Sequence, residues 1–146
     1  MENSTQPRQV WQRVLGQREP DAGALLSLIA GEWSDAATYL YLSRRFSGHH
    51  AEVLRQLFQE EQAHAACLKG IYTLITGERP VARAPAPREE QPEITLRRCY
   101  GREMQSLAAY EARAGDPEYG PVFTRLADQE RRHCHAVLEI LGSLQK

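Results

Sequence analysis

The sequence lacks the features that mark several common classes of protein. Its three cysteines, Cys67, Cys99 and Cys134, are far apart and form no Cys-x-x-Cys pair. Neither a disulfide framework nor a zinc-ribbon or rubredoxin-type site is therefore expected. No stretch approaches eighteen consecutive apolar residues, so a membrane-spanning helix is not expected. The first twenty residues are polar and lack the apolar core of a signal peptide, which makes a cytoplasmic location the expectation.

The chain also has no excess of either charge. The formal net charge is −1 over 146 residues, and both signs are interspersed, so a nucleic-acid partner is not implied. A single domain is expected at this length. Hydrophobic residues make up 42% of the chain, which is enough to form a core.

Apolar residues recur at helical spacing in four long stretches. Start and stop signals place the helices at about Asp21 to Gly48, His50 to Thr76 and Glu93 to Ala114, with the fourth beginning near Pro121. This pattern predicts an all-α four-helix bundle over residues 21–146.

Residues 1–20 are expected to form an N-terminal arm. Val10, Trp11, Val14 and Leu15 fit one face of a short helix, which would cap the bundle or contact a second subunit.

A proline-rich segment separates the second and third helices. Glu78 to Pro92 contains four of the chain's eight prolines, and no helix tolerates that density. Extended, its fifteen residues would reach roughly 45 Å, whereas the second helix would be about 40 Å long. The connection can therefore run the length of the bundle, so that the third helix runs parallel to the second.

Polar residues interrupt the apolar stripes in an order that repeats. Each half of the chain reads Glu-x6-Tyr, a turn, and then Glu-x-x-His. The residues are Glu32, Tyr39, Glu61 and His64 in the first half, and Glu103, Tyr110, Glu130 and His133 in the second. Residues three apart on a helix share a face, so each Glu-x-x-His motif directs a carboxylate and an imidazole to one point. A single such motif is usually a solvated pair, but six residues repeated on four apolar stripes indicate a metal site.

The chemistry of this set favours two divalent ions. Buried carboxylates repel one another, and burial raises their pKa values, so four of them are tolerable together if cations lie among them. In one possible arrangement, Glu61 and Glu130 bridge the ions, and the terminal ligands are Glu32 with His64 and Glu103 with His133. Which of these Glu residues pairs with which His is left open. Oxygen-rich ligands with one nitrogen per ion suit iron or manganese, and zinc is not excluded.

Four other side chains are expected near the site. Tyr39 and Tyr110 are either core aromatics or hydrogen-bond partners of the ligand carboxylates. Cys67 and Cys99 each lie one turn from a predicted ligand. Packing is the expected role of these cysteines, with a redox role as the alternative.

These residues resemble the ferritin-like di-iron carboxylate superfamily, and within it the rubrerythrin-like branch. The resemblance covers residues 21–146. It implies a ferritin-like four-helix bundle with a long crossover between the second and third helices, two iron ions, and oxidation of the di-ferrous centre by hydrogen peroxide or O₂. Rubrerythrins proper also have a rubredoxin domain that supplies electrons. This chain ends at Lys146 without paired cysteines, so an external electron-donor protein is expected.

Rubrerythrins also commonly carry an extra Glu one turn after the third-helix ligand, in a redox-linked iron shift. Ser106 occupies that position here, which places a peroxidase cycle of the rubrerythrin type in question.

The expected function is that of a homodimeric di-iron oxidoreductase that scavenges peroxide under oxidative stress. One alternative is a ferroxidase that stores or passes on iron, although the chain shows no long fifth helix of the kind that favours a storage cage. The second alternative is a non-redox helical bundle that holds zinc or no metal.

Overall fold

The computed structural model describes residues 19–81, 83 and 85–145. These residues contain helices α1 (Glu19–Ser43), α2 (Gly48–Thr76), α3 (Pro92–Glu111) and α4 (Gly120–Ser143). No strand occurs in this part of the chain, so the predicted all-α class is confirmed. The predicted N-terminal arm lies outside the described residues, apart from residues 19 and 20, which belong to α1.

Glycine and proline set several helix boundaries. Helix α2 ends as predicted at Gly77, whose φ of 74° is left-handed and carries no steric penalty for glycine. The Gly77 N–H donates to the Thr73 carbonyl at 2.8 Å. Proline lies in the first turn of both α3 and α4, where its missing N–H removes no helical hydrogen bond.

The first helix ends earlier than the sequence predicted. The N–H groups of Arg44 and Arg45 donate to carbonyls three residues back, which tightens the chain into a turn directly after Ser43. Gly48 does have a positive φ of 61°, but it begins α2 instead of ending α1. In so short a connection the same left-handed glycine follows the turn after α1 and directly begins α2.

Two apolar clusters fill the bundle, one on each side of its middle. The first joins the N-terminal halves of α1 and α4 to the C-terminal halves of α2 and α3, and includes Ile29, Leu68, Tyr110 and Leu126. The second joins the opposite halves, and includes Tyr39, Leu57, Leu96 and Val137. Helices α2 and α3 therefore run in the same direction, and the segment between them passes from one end of the bundle to the other. The predicted long crossover is confirmed.

Helix contacts divide the bundle into two hairpins. Helix α1 packs along α2, and α3 packs along α4, while α1 also contacts α3 and α2 also contacts α4. Within the described ranges, no helix combines the length and apolarity needed to cross a membrane. The consequence for the site is that all four helices pass the middle of the bundle, between the two apolar clusters.

Candidate metal centre

The middle of the bundle is occupied by ionisable side chains instead of apolar ones. All six residues predicted as metal ligands lie there, and each is no more than 2% exposed. Helices α1 and α3 contribute one carboxylate each, and α2 and α4 contribute one Glu-x-x-His motif each: Glu32, Glu103, Glu61 with His64, and Glu130 with His133. The structure thus brings together the whole predicted set. Their role as ligands stays a prediction.

The six residues form two overlapping groups of four. One group contains Glu32, Glu61, His64 and Glu130, and the other contains Glu61, Glu103, Glu130 and His133. In each group, one potential ligand atom from every residue lies within 4.8 Å of the others. Glu61 and Glu130 belong to both groups. The geometry therefore favours Glu32 with His64 and Glu103 with His133, the pairing that the sequence left open.

Both imidazoles direct Nδ1 towards the carboxylates. His64 Nδ1 lies 2.7 Å from Glu130 Oε1 and 3.1 Å from Glu32 Oε2. His133 Nδ1 lies 3.2 Å from Glu61 Oε1 and 3.3 Å from Glu103 Oε2. The two rings stack, with their centroids 5.5 Å apart. The imidazoles therefore lie side by side, each within reach of carboxylates from both halves of the chain.

The outward ring nitrogens meet two residues that sequence reasoning missed. His133 Nε2 donates to Glu60 Oε1 at 2.8 Å, and His64 Nε2 donates to Gln129 Oε1. These acceptors keep a hydrogen on Nε2, which leaves the Nδ1 lone pair available to a metal ion. A signal for them existed in the sequence, since Glu60 and Gln129 each directly precede the Glu of a Glu-x-x-His motif.

The two tyrosines donate hydrogen bonds across the bundle. Tyr39 on α1 donates to Glu103 Oε2 at 2.6 Å, and Tyr110 on α3 donates to Glu32 Oε1 at 2.9 Å. Each tyrosine thus holds the carboxylate of the opposite half of the repeat. Burial, followed by the charge of the neighbouring carboxylate, raises the pKa of both phenols. Both therefore remain hydrogen-bond donors at neutral pH.

The carboxylates differ in how strongly they hold a proton. Burial, reinforced by Glu61, raises the pKa of Glu32 to about 8. Burial, reinforced by the neighbouring carboxyl group of Glu103, raises the pKa of Glu130 well above its usual range. Burial alone would also raise the pKa of Glu61, but close contacts with the two imidazoles lower it to about 2. The surrounding side chains therefore stabilise Glu61 as an anion, whereas Glu130 and, at neutral pH, Glu32 are held mainly as neutral acids.

The imidazoles are correspondingly basic. Burial by itself would lower their pKa values, but contacts with Glu32 and Glu61 raise the pKa of His64 to about 9. Contacts with Glu103 and Glu61 raise the pKa of His133 to about 11. In the metal-free protein at neutral pH, protons on the two imidazoles therefore occupy the places where metal ions would bind.

Several buried polar atoms of the cluster have no hydrogen-bond partner among the described residues. They are both carboxylate oxygens of Glu61, both of Glu130, Oε1 of Glu103 and Nδ1 of His133. Some of these atoms lie near an imidazole nitrogen, but not in hydrogen-bonding geometry. Burying a polar group without a partner is unfavourable by about 1–3 kcal/mol. Metal ions coordinated by these atoms would satisfy them, so the residues fit an oxygen-rich metal centre with one imidazole per ion.

A partly buried ion pair adjoins the centre between α1 and α3. Arg102 donates from Nε and Nη2 to the two oxygens of Asp35 at 3.2 and 3.4 Å. Burial, partly offset by Arg102, raises the pKa of Asp35 to about 7. Gly31 provides room for the guanidinium, because a Cβ atom there would lie 2.5 Å from Arg102 Nη2. In the internal repeat Gly31 corresponds to Arg102, and Asp35 corresponds to Ser106, so this ion pair belongs to one half only.

The cysteines are consistent with packing. Cys99 and Cys134 are buried, Cys67 is half-buried, and all three are free thiols. Burial raises the pKa of Cys99, which keeps it in the unreactive thiol form. Cys134 Sγ lies 3.6 Å from Met104 Sδ. These surroundings give no support to the alternative of a redox role for Cys99.

The fold and the buried cluster define a protein of the ferritin-like di-iron carboxylate class. Comparison with family models agrees: the Rubrerythrin model matches residues 24–134. The chain belongs to the rubrerythrin family, which confirms the resemblance inferred from the sequence. A search of curated proteins and a search of solved structures found no protein that matches this chain. Membership implies that iron is the metal of the buried carboxylate–imidazole cluster.

Proposed function

We propose that this protein is a rubrerythrin-like di-iron oxidoreductase that reduces hydrogen peroxide, or O₂, with electrons from an external donor protein. The observation that carries the proposal is the pair of four-residue groups that share Glu61 and Glu130. Two shared carboxylates are what a carboxylate-bridged pair of ions needs. Glu32 with His64 would complete one position, and Glu103 with His133 would complete the other.

The charges of the site support two divalent ions. Four ionised glutamates are balanced by two such ions, and neutral imidazoles add no charge. Bound ferrous ions would supply two electrons to the O–O bond of hydrogen peroxide, which with two protons becomes two molecules of water. The chain's own residues hold the ions, fix the carboxylates and keep bulk water away from the centre.

The tyrosines contribute orientation. Each phenol donates to one oxygen of a terminal carboxylate, Tyr39 to Glu103 and Tyr110 to Glu32. A carboxylate fixed in this way loses less rotational freedom when it binds a metal ion, which favours binding. The position of these phenols in the core also removes the centre from solvent, which limits side reactions of a reactive oxidant.

The source of electrons lies outside the bundle in this proposal. The three thiols are isolated from one another in sequence, and no Cys-x-x-Cys pair is present to hold a second redox centre. We further propose that the protein acts as a homodimer in the response to oxidative stress. Sedimentation analysis of the iron-loaded protein tests this state, since a hollow multimer would instead favour iron storage.

The decisive experiment begins with protein purified anaerobically from iron-supplemented cells. The proposal predicts about two iron ions per chain and, on adding hydrogen peroxide, consumption of peroxide with a new ferric absorption band. Repeated turnover on adding a reductant supports the oxidoreductase. A single turnover with iron retained or released would instead indicate iron handling by a ferroxidase.

A matched pair of variants links the chemistry to the cluster. Glu61→Gln is expected to lose iron and peroxide consumption, because Glu61 belongs to both ligand groups. Glu52→Gln removes the same charge from an exposed position of the same helix and should behave as the wild type. If wild-type protein bound only zinc, or bound iron that did not respond to peroxide, the redox proposal would be wrong.

A further inference from the structure

The two halves of the metal centre differ in the residue that accepts the outward hydrogen bond of the imidazole. Glu60 on α2 accepts from His133 on α4 at 2.8 Å. Gln129 on α4 accepts from His64 on α2. The two contacts are related by the internal repeat, and each crosses between α2 and α4. The repeat therefore conserves the hydrogen bond but changes the acceptor from an amide to a carboxylate.

We propose that Glu60 and Gln129 are positioning residues that make the two metal positions unequal, with the stronger binding position at His133. This inference rests on the proposed metal centre and adds to it an order of binding. Neither residue need contact the metal, because each acts through the imidazole that donates to it.

The difference arises from the charge of the acceptor. A hydrogen bond from an N–H group to a carboxylate is roughly twice as strong as one to a neutral amide. It draws the hydrogen away from Nε2, which increases electron density on the imidazole and makes Nδ1 a better donor to a metal ion. His133 faces the carboxylate of Glu60 and should therefore bind an ion more tightly than His64, which faces the amide of Gln129.

Glu60 is held in place for this role. Its Oε2 accepts a hydrogen bond from Gln56 Nε2 at 2.6 Å, one helical turn earlier, while its Oε1 accepts from His133. The Glu60 side chain is 29% exposed, so its charge is partly solvated and does not require a second buried cation. The side chain can thus stay ionised at the edge of a crowded cluster of carboxylates.

The remaining ligand environment is closely matched between the halves. Glu32 and Glu103 each accept one tyrosine hydrogen bond, and Glu61 and Glu130 are common to both groups. The Asp35–Arg102 ion pair is a second departure from the repeat, located between α1 and α3. Exchanging Glu60 and Gln129 while leaving that ion pair unchanged separates the effect of the hydrogen-bond acceptors on metal affinity from the effect of the ion pair.

The test is an anaerobic titration of EDTA-treated protein with Co²⁺, followed by calorimetry and by the visible spectrum of the bound ion. The wild type is expected to bind in two resolved steps. Glu60→Gln should weaken the tighter step by about 10- to 100-fold and bring the two steps together. Gln129→Glu should tighten the weaker step, and the double exchange should restore two resolved steps.

Spectra at one equivalent of Co²⁺ identify which position fills first. His133→Ala should remove the tighter step of the wild type, and His64→Ala should remove the weaker one. In the double exchange this assignment should be reversed. Glu52→Gln is the control for loss of a charge from α2, and urea unfolding of each metal-free variant verifies that it folds.

Two results would overturn the inference, and they differ in meaning. Two Co²⁺ steps whose affinities are unchanged by Glu60→Gln would show that the acceptor does not set the order, while leaving the metal centre intact. Failure of the folded wild type to bind Co²⁺ or Fe²⁺ at all would overturn the proposed function as well as this inference.

Discussion

Replacing Glu61 or Glu130 by glutamine should change the stability of the metal-free protein in opposite directions. The two residues occupy the same position in the two Glu-x-x-His motifs, both are fully buried, and both belong to both ligand groups. Their protonation differs, however. Glu61 lies within 3.2 Å of both imidazole Nδ1 atoms, whereas Glu130 lies 2.7 Å from that of His64 but 3.6 Å from that of His133. Glu130 is instead held as the neutral acid by burial and by Glu103.

The magnitude for Glu61 follows from its pKa, which the imidazoles lower from 4.5 to about 2. A folded-state pKa below the unfolded one gives stability that is present above pH 4.5 and lost as the pH falls towards 2. Each pKa unit corresponds to about 1.4 kcal/mol. The two imidazoles also contact other carboxylates, so only part of this energy is lost when Glu61 is replaced. Glu61→Gln is therefore expected to destabilise the metal-free protein by about 2–3 kcal/mol at pH 7.

The sign reverses for Glu130. Its folded-state pKa is raised, so its contribution is favourable below the unfolded pKa and is lost as the pH rises. At pH 7 the unfolded side chain is ionised, and folding requires it to take up a proton. Glutamine has the same shape and avoids that requirement, so Glu130→Gln is expected to stabilise the metal-free protein by about 1–2 kcal/mol.

Urea unfolding at pH 7 in the presence of EDTA measures both effects. Glu52→Gln, at an exposed position on α2, should change the free energy of unfolding by less than about 0.5 kcal/mol. Both buried variants should also bind metal more weakly than the wild type. Equal losses of stability in Glu61→Gln and Glu130→Gln would refute the assignment of protons within the cluster.

Three further predictions concern the surroundings of the centre. Tyr39→Phe and Tyr110→Phe should each lower the free energy of unfolding by about 1–3 kcal/mol, because each leaves a buried carboxylate oxygen without its donor. As the pH rises from 5 to 7, the free energy of unfolding of the wild type should fall by about 1–2 kcal/mol relative to that of Asp35→Asn. The reason is that the folded protein holds a proton on Asp35 that the unfolded chain has already released. Binding of Fe²⁺ at pH 7 should release roughly three to four protons per chain, because ions replace protons on the imidazoles and carboxylates.

Each of these predictions has a direct check. Urea unfolding reports the tyrosine variants. Tyr41→Phe, at a half-buried residue whose hydroxyl accepts an exposed hydrogen bond from Arg45, serves as their control; equal effects at all three positions would contradict the role of burial. Urea unfolding at several pH values reports Asp35→Asn, and parallel curves for the wild type and the variant would be the contrary result. An indicator dye in weak buffer counts protons, and release of none would contradict the assigned protonation.

The sequence predicted the cluster because its signal is local. A charged residue on an apolar helical stripe is visible from the period of the helix alone, as with Glu32 and Glu61. The outer residues are marked only by their position directly before the Glu of each Glu-x-x-His motif. Glu60 and Gln129 lie at the edge of the stripe, where a half-buried acceptor and a solvated side chain look alike. Their role depends on how α2 and α4 are rotated relative to each other.

The other features that were missed also depend on relations between helices. Pairing of Asp35 with Arg102 requires α1 and α3 to be in a particular register, and the contact fits because Gly31 has no side chain. The crossed hydrogen bonds of the tyrosines follow from the same register. The end of α1 was mispredicted for a different reason, since Gly48 suits the end of one helix and the start of the next.

The two halves of the internal repeat differ in residues that surround the predicted ligands and not in the ligands themselves. In the metal-loaded protein, replacing a carboxylate of the cluster would upset the charge balance of a buried site, where an unpaired charge is strongly unfavourable. A residue such as Glu60, which is partly solvated and acts through a hydrogen bond, can change at a smaller energetic penalty. A centre built from two equivalent halves would therefore acquire unequal metal positions through its outer residues. Glu60 and Gln129 differ in this way, while the predicted ligands are the same residue types in both halves of the chain.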